Sequence, residues 1–382
     1  MAQPTGFKQE PHRLLTIPGP IEVADDVLYA NAHYSVSHVG ADFIPIFGDC
    51  IRMTRDVVFT QSGQPFIIAG SGTLGWDEVA SNLVEPGENA LVLHSGYFGD
   101  SFADCLETYG AKVTQIKAPV GEAVKMDQLK AALQEKKYKI VTVTHVDTST
   151  GVLSDVKAVA QTVKEVSPDT LVIVDGVCSV ASEEIKFDDW GLDVVLTASQ
   201  KGLGTPPGLS ILVFEQRKAP ATSYYASWKR WLPIMKAYEA GTAAYFATPP
   251  VNLINAFYTS LKTITRSSMT VDERIKLHRE ASKRVKDAVS KLGLKQVATD
   301  PAFAANGMTA VYFPEGVTAP QVIPELLQQS IIVAGGLHKD IKDKYFRIGH
   351  MGVTAVDPSR GDIDKVIKGL NTTFAGLSAN KQ

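Results

Sequence analysis

What this sequence has little of narrows it first. Its three cysteines, Cys50, Cys105 and Cys178, are an odd number without CxxC spacing, which points to a reducing, intracellular setting rather than a disulfide framework. No basic run is longer than Lys136-Lys137, and 38 lysines and arginines stand against 41 aspartates and glutamates. A track for the phosphate backbone of nucleic acid is therefore not expected. No apolar run approaches the roughly 20 residues that cross a bilayer, so no membrane partner is expected. The N-terminal MAQPTGFKQEPHR has no apolar signal segment, and the terminal Ala-Asn-Lys-Gln is not a Ser-Lys-Leu address. Cytoplasm is the expected compartment, with peroxisome and mitochondrion left open. Low-complexity tracts and internal repeats are lacking too, and no metal is expected.

What is present is an ordinary globular composition, 45% hydrophobic and 21% charged over 382 residues. That length suits a large domain plus a smaller one, because single cores stop growing near roughly 250–300 residues. Between Phe66 and Glu215 short runs rich in valine and isoleucine recur: FIIAG, ALVLHSG, KVTQIKAP, KIVTVTHV, LVIVDGV, VVLTAS and LSILVFE. Helical patterns separate several of them, which predicts a mostly parallel sheet covered on both faces. One such helix carries Val156, Val159, Ala160 and Val163 at helical spacing, with Ser154 as its expected cap. The pattern then changes scale. A long helix is predicted from Thr270 with Glu273 completing a capping box, its stripe being Ile275, Ala281, Val285, Val289 and Leu292. Strand candidates MTAVYFP, SIIVAGG and YFRIGH and a final helix near Gly361 to Leu377 follow. The chain is read as an N-terminal arm over 1–21, a large domain over 22–265 and a small C-terminal α/β domain over 266–382.

Chemistry concentrates at strand ends, where α/β sheets place ligands. Lys201 follows the run VVLTASQ and opens a turn of glycines and prolines, GLGTPPG. A lone lysine is most often solvated, yet Asp175 closes the run LVIVD, a strand too apolar for an edge. A carboxylate there needs a cation or hydrogen bonds. A protonated pyridine nitrogen would supply the cation, while Lys201 holds the same ring as a Schiff base. Upstream, PFIIAG runs through Ser71-Gly72-Thr73-Leu-Gly75 into a helical WDEVASNLV, a helix N-terminus suited to phosphate. Neither GxxxxGK[ST] nor GxGxxG with its following acid is present, which disfavours nucleotide chemistry and a dinucleotide dehydrogenase.

In order along the chain, the SGSGT-like turn, GYFG, THVDTSTG, VDGVCSVAS, SQKGLGTPPG and FRIGHMG resemble the class V aminotransferases of fold type I. The resemblance runs from Leu14 to the last helix. It implies a large domain built on a mostly parallel seven-stranded sheet between helices, plus a smaller α/β domain, and pyridoxal 5'-phosphate as cofactor. Lys201 would then be the Schiff-base lysine and proton carrier, and Asp175 the partner of the ring nitrogen. Val177 and Phe98 would pack on the two ring faces, with phenylalanine where the family often has tryptophan. Thr148 would bond the ring oxygen. Ser71, Gly72, Thr73 and Gln200 would hold the phosphate, with Thr73 where relatives carry histidine. Tyr245 and Thr248 would reach the phosphate of the neighbouring subunit, which implies a homodimer. Arg347 would clamp the substrate carboxylate and Gly19 would line a small substrate cavity. The implied partners are amino acids and keto acids, with alanine as donor and glyoxylate as acceptor, or serine, pyruvate or another small pair. A cysteine desulfurase is disfavoured because neither Cys178 nor Cys50 stands where a mobile nucleophile would. Phosphoserine and aminoethylphosphonate transaminases stay open.

Overall fold

A computed structural model describes residues 6–214 and 222–379. Seven strands form the central sheet: β1 Gln64–Ala69, β2 Asn89–His94, β3 Lys112–Lys117, β4 Ile140–Thr144, β5 Leu171–Asp175, β6 Val194–Ala198 and β7 Leu209–Phe214. Their order is β1-β7-β6-β5-β4-β2-β3, and only β7 runs against its neighbours. The inner strands read as unbroken apolar runs because helices cover both faces, leaving no solvent side to ask for polar residues. Val141, Ile173, Val194 and Ile211 are all solvent-free. The lysine-flanked β3 is one of the two edges, opposite β1, and charge there discourages further pairing.

The helix Val156–Val166 buries Val156, Val159, Ala160 and Val163 as its spacing predicts. Its cap, however, is Asp155 and not Ser154. Asp155 directly precedes the first helical residue and its carboxylate accepts from Ala158 N at 2.9 Å. Ser154 sits one residue too early, and its hydroxyl donates to the Thr144 carbonyl.

A second core surrounds a three-stranded antiparallel sheet of β8 Met308–Tyr312, β9 Ala334–Gly335 and β10 Tyr345–Gly349, with β10 in the middle. Side chains alternate along β10. Phe346 and Ile348 enter this core beside Val285 and Val289, whereas Tyr345 packs with Val146 and Cys178 toward the large sheet. The helix Val271–Lys291 opens on the expected box: Thr270 Oγ1 accepts from Glu273 N, and Glu273 returns a carboxylate oxygen to Thr270 N. Val271 and Ile275 belong to the first core and Ala281, Val285 and Val289 to the second, so the two cores share one helix rather than a linker. The segment SIIVAGG is not a single strand. Ile331–Ile332 pairs in parallel with Leu14–Leu15 of the N-terminal arm, whereas Ala334–Gly335 pairs with β10, so the chain changes partners at Val333. The arm continues to the large domain, where Ile21 N donates to the Gln200 carbonyl. Among the described residues no helix is long and apolar enough to cross a membrane.

Phe346 is solvent-free and stacks on Phe313 and Phe374, with centroids 5.4 and 6.3 Å away. Phe346→Ala is expected to destabilise the second core by roughly 3–5 kcal/mol, read as a lower denaturation midpoint in a urea titration.

Candidate active site

The site lies at the carboxyl ends of β4, β5 and β6. Asp175 is the last residue of β5, paired between Thr144 and Leu196, and is 2% exposed. Its Oδ1 accepts from Val177 N at 3.0 Å and its Oδ2 from Trp76 Nε1 at 2.9 Å. Both donors are neutral, so burial dominates and pushes the carboxyl up to about 6, against the two hydrogen bonds and the more distant Lys201 charge. A buried carboxylate served only by neutral donors favours a cation in the cavity before it.

Lys201 lies in a closed turn just past β6, with Thr205 N donating to Ser199 O and Gly204 N to Lys201 O. Gly202 is required there, because a Cβ would come within 2.3 Å of the Val180 carbonyl. The lysine is partly buried and its amine donates to Pro18 O. Desolvation lowers its pKa below the ordinary lysine value, and the nearby Arg347 charge adds to this. Gly19, at φ +126°, lies against this amine: a Cβ would stand 2.3 Å from Nζ. It therefore sets the position of the lysine more directly than it lines a cavity.

The helix Gly72–Leu83 aims its N-terminus at the same cavity, and its cap Ser71 makes no side-chain bond to the first turn. Free N–H groups at such an end attract anions. Gly72 and Gly75 let the helix press on the sheet, since a Cβ at 72 would meet Val177 at 2.9 Å and one at 75 would meet Leu196 at 3.2 Å. Ser71, Thr73 and Gln200 line the cavity beside this end, and the buried Gln200 Oε1 has no partner among the described residues.

Thr148, Phe98 and Val177 line the remaining wall. Val177 is held through its N–H by Asp175, whereas Phe98 and the turn that carries Thr148 depend on Asp147, which is solvent-free. Its Oδ1 accepts from Ser149 N at 2.9 Å and from Ser149 Oγ at 2.6 Å, and its Oδ2 accepts from Phe98 N at 3.1 Å. Arg347 reaches this turn from β10: Nη1 donates to Thr148 O at 3.2 Å and Nε to Gly335 O at 2.7 Å, which leaves further guanidinium donors for a ligand. Tyr245 (66% exposed) and Thr248 lie on the surface, outside this cavity. Cys178 lines the cavity, but burial raises its thiol to about 12, which suppresses the thiolate a desulfurase would need.

Trp76, Asp147 and Tyr345 are absent from the residues that the sequence singles out. Trp76 was detectable in part, because it shares a helix face with Gly72, Gly75, Val79 and Leu83, all buried. Asp147 and Tyr345 carry no such local signal.

A lysine, an acid and a phosphate-suited helix end on one cavity match the comparisons with known proteins. The model of the aminotransferase class-V family matches residues 24–347. Alanine–glyoxylate aminotransferase 1 of Saccharomyces cerevisiae is 46% identical over 360 residues, covering 89% of this chain and 92% of the yeast protein. L-aspartate–glyoxylate aminotransferase of Paracoccus denitrificans is 30% identical over 341 residues, covering 88% and 85%. The crystal structure of alanine–glyoxylate aminotransferase from Nostoc sp. superposes with a TM-score of 0.86 at 27% identity, covering 98% and 97%. The chain belongs to the class V aminotransferases. It is a transaminase of fold type I, and its cofactor is pyridoxal phosphate.

The residues present fit that group. Asp175 faces the cavity with room for a cationic ring nitrogen, the unpaired Gln200 Oε1 and the helix N-terminus border a polar cradle, and burial lowers the pKa of the Lys201 amine, the direction an attacking amine needs. The carboxyl of Asp175 sits at about 6 with Lys201 as its named cationic neighbour, and a paired ring nitrogen would lower it. The affinity gained from that pair is thus fully present above pH 6 and is lost as pH falls below it, up to about tenfold per pH unit. Trp76→Phe removes one of the two donors, moves this fall to higher pH and weakens cofactor binding at pH 7 by roughly tenfold. Cofactor titrations followed by absorbance at several pH values test both effects.

Proposed function

We propose that this enzyme transfers the amino group of L-alanine to glyoxylate, giving pyruvate and glycine in two half-reactions. The observation that carries the reading is Arg347: an arginine with spare donors that lies behind the cavity lining, bonded to the carbonyl of the lining residue Thr148 and near enough to Lys201 for its charge to lower the lysine pKa. A planar guanidinium binds both oxygens of a carboxylate and so orients the Cα–H bond. The alanine–glyoxylate activities named for the yeast and Nostoc proteins support this donor and acceptor pair.

When bound, pyridoxal phosphate supplies an electron sink that weakens the Cα–H bond of the amino acid. The chain's own residues supply the rest. Asp175 would hold the ring nitrogen, with Trp76 and Val177 N holding Asp175. Phe98 and Val177 would cover the ring faces and Thr148 its oxygen. Ser71, Gly72, Thr73 and Gln200 would take the phosphate at the helix N-terminus. The Lys201 amine, whose pKa burial lowers, would attach the cofactor and, once displaced by the substrate amine, would carry the proton from the substrate α-carbon to the cofactor, and in the second half-reaction from the cofactor to the α-carbon of the keto acid.

The same proposal includes a homodimer in which Tyr245 and Thr248 reach the phosphate of the neighbouring site. Their exposure, and their absence from the lining of their own chain's cavity, support a role across an interface. Sedimentation should give twice 41.2 kDa. Activity should reappear on mixing Lys201→Ala with Tyr245→Ala subunits, each inactive or weak alone; no recovery would reject the shared site.

The donor and acceptor are tested by absorbance of the holoenzyme. Alanine should abolish the Schiff-base band and glyoxylate should restore it with release of glycine. Restoration by pyruvate after serine, but not by glyoxylate after alanine, would assign the serine–pyruvate pair instead. Arg347→Lys should raise KM for alanine by roughly 10- to 100-fold, the loss expected when a bidentate carboxylate contact becomes a point charge.

A further inference from the structure

Arg347 does not hold itself in place. Its two anchors are backbone carbonyls on different elements, Gly335 O on β9 and Thr148 O in the turn after β4. A clamp made of such anchors keeps its geometry only if those elements are tied together. One buried atom ties them. The Tyr345 hydroxyl accepts from Leu337 N at 2.8 Å and from His338 N at 3.0 Å, and donates to Ser149 O. Leu337 lies two residues after one Arg347 anchor and Ser149 one residue after the other.

The placement follows from the strand. Tyr345 and Arg347 are two positions apart on β10 and so project from the same face, while Phe346 and Ile348 between and beyond them are locked in the second core. Tyr345 is solvent-free. Gly336 allows the loop to close on the ring, since a Cβ there would stand 2.6 Å from Tyr345 Cε1 and 2.1 Å from Lys342 O. The turn on the far side is itself rigid, because Ser149 is held by Asp147 through both its N–H and its hydroxyl.

We infer that Tyr345 is a positioning residue for the carboxylate clamp: its hydroxyl holds the loop after β9 against the cofactor turn at Ser149, and thereby fixes the two carbonyls on which the Arg347 guanidinium rests. The inference depends on the reading of Arg347 as the clamp. Tyr345 touches neither substrate nor cofactor in this role. It governs how well a carboxylate is met, and leaves proton transfer to Lys201.

The test uses holoenzyme with Tyr345→Phe, which keeps the ring and removes the hydroxyl, beside Arg347→Ala. Substrates are alanine and alaninamide, the latter lacking the carboxylate charge. The expected result for Tyr345→Phe is a KM for alanine higher by roughly 3- to 10-fold, with kcat within about twofold. Its rate with alaninamide and its affinity for pyridoxal phosphate should be unchanged. An equal loss with alanine and alaninamide, or a weakened cofactor, would mean a general structural role and overturn the inference. So would an unchanged KM for alanine. If Arg347→Ala raises that KM and Tyr345→Phe does not, positioning fails and the clamp stands; if Arg347→Ala leaves it unchanged, the clamp itself fails. Should Tyr345→Phe not fold, Gly336→Ala displaces the same loop with the hydroxyl retained, and must show the same split between alanine and alaninamide for the inference to survive.

Discussion

A carboxylate at the end of a central strand, shielded from water and met only by neutral donors, is the constraint around which this molecule is arranged. Asp175 has an indole N–H and one backbone N–H for company, which is too little to offset the loss of hydration for a full negative charge. The structure tolerates the deficit because a cationic ring can complete it. The indole reaches Asp175 from a helix pressed on the sheet through Gly72 and Gly75. The same helix end offers N–H groups to an anion. Charge demand at one end of the cavity and anion affinity at the other together select a ligand that is cationic at one edge and anionic at another.

The substrate side is assembled differently. The turn over residues 147–149 is the junction of the two cores. Asp147 spends its carboxylate on Ser149 and on Phe98 N, and the turn's outward carbonyls take Arg347 and Tyr345 from β10. A strand with one face in the second core and the other in a separate cluster with Val146, Cys178 and Met308 can deliver both residues at once. The long helix shared by the cores, with Val271 and Ile275 in its first turns and Val285 and Val289 near its far end, gives that approach a fixed frame.

Much of this was legible in the residues. Buried parallel strands announce themselves as valine and isoleucine runs, so a charged residue at the end of one, such as Asp175, stands out, and Lys201 follows a second such run into a turn that needs Gly202. The capping box at Thr270 was readable because both partners lie within three residues. Other features were not legible. Asp155 rather than Ser154 caps its helix by a difference of one position. SIIVAGG reads as one strand but divides, because its partners, the arm and β10, are remote in sequence. Trp76 meets Asp175 across 99 positions, Phe98 meets Asp147 across 49, and Tyr345 meets Ser149 across 196.

By itself, then, the sequence determined the alternation of helix and strand, the burial of both sheet faces and the chemical types waiting at the strand ends, since periodicity and burial act between near neighbours along the chain. Only the tertiary structure decided that the indole of Trp76 serves Asp175, that Gly19 bears on the Lys201 amine, and that Tyr345 and Arg347 converge on one turn. Hydrogen bonds are directional and short in space, yet they leave no period in the chain, so their partners become known only when distant segments are brought together.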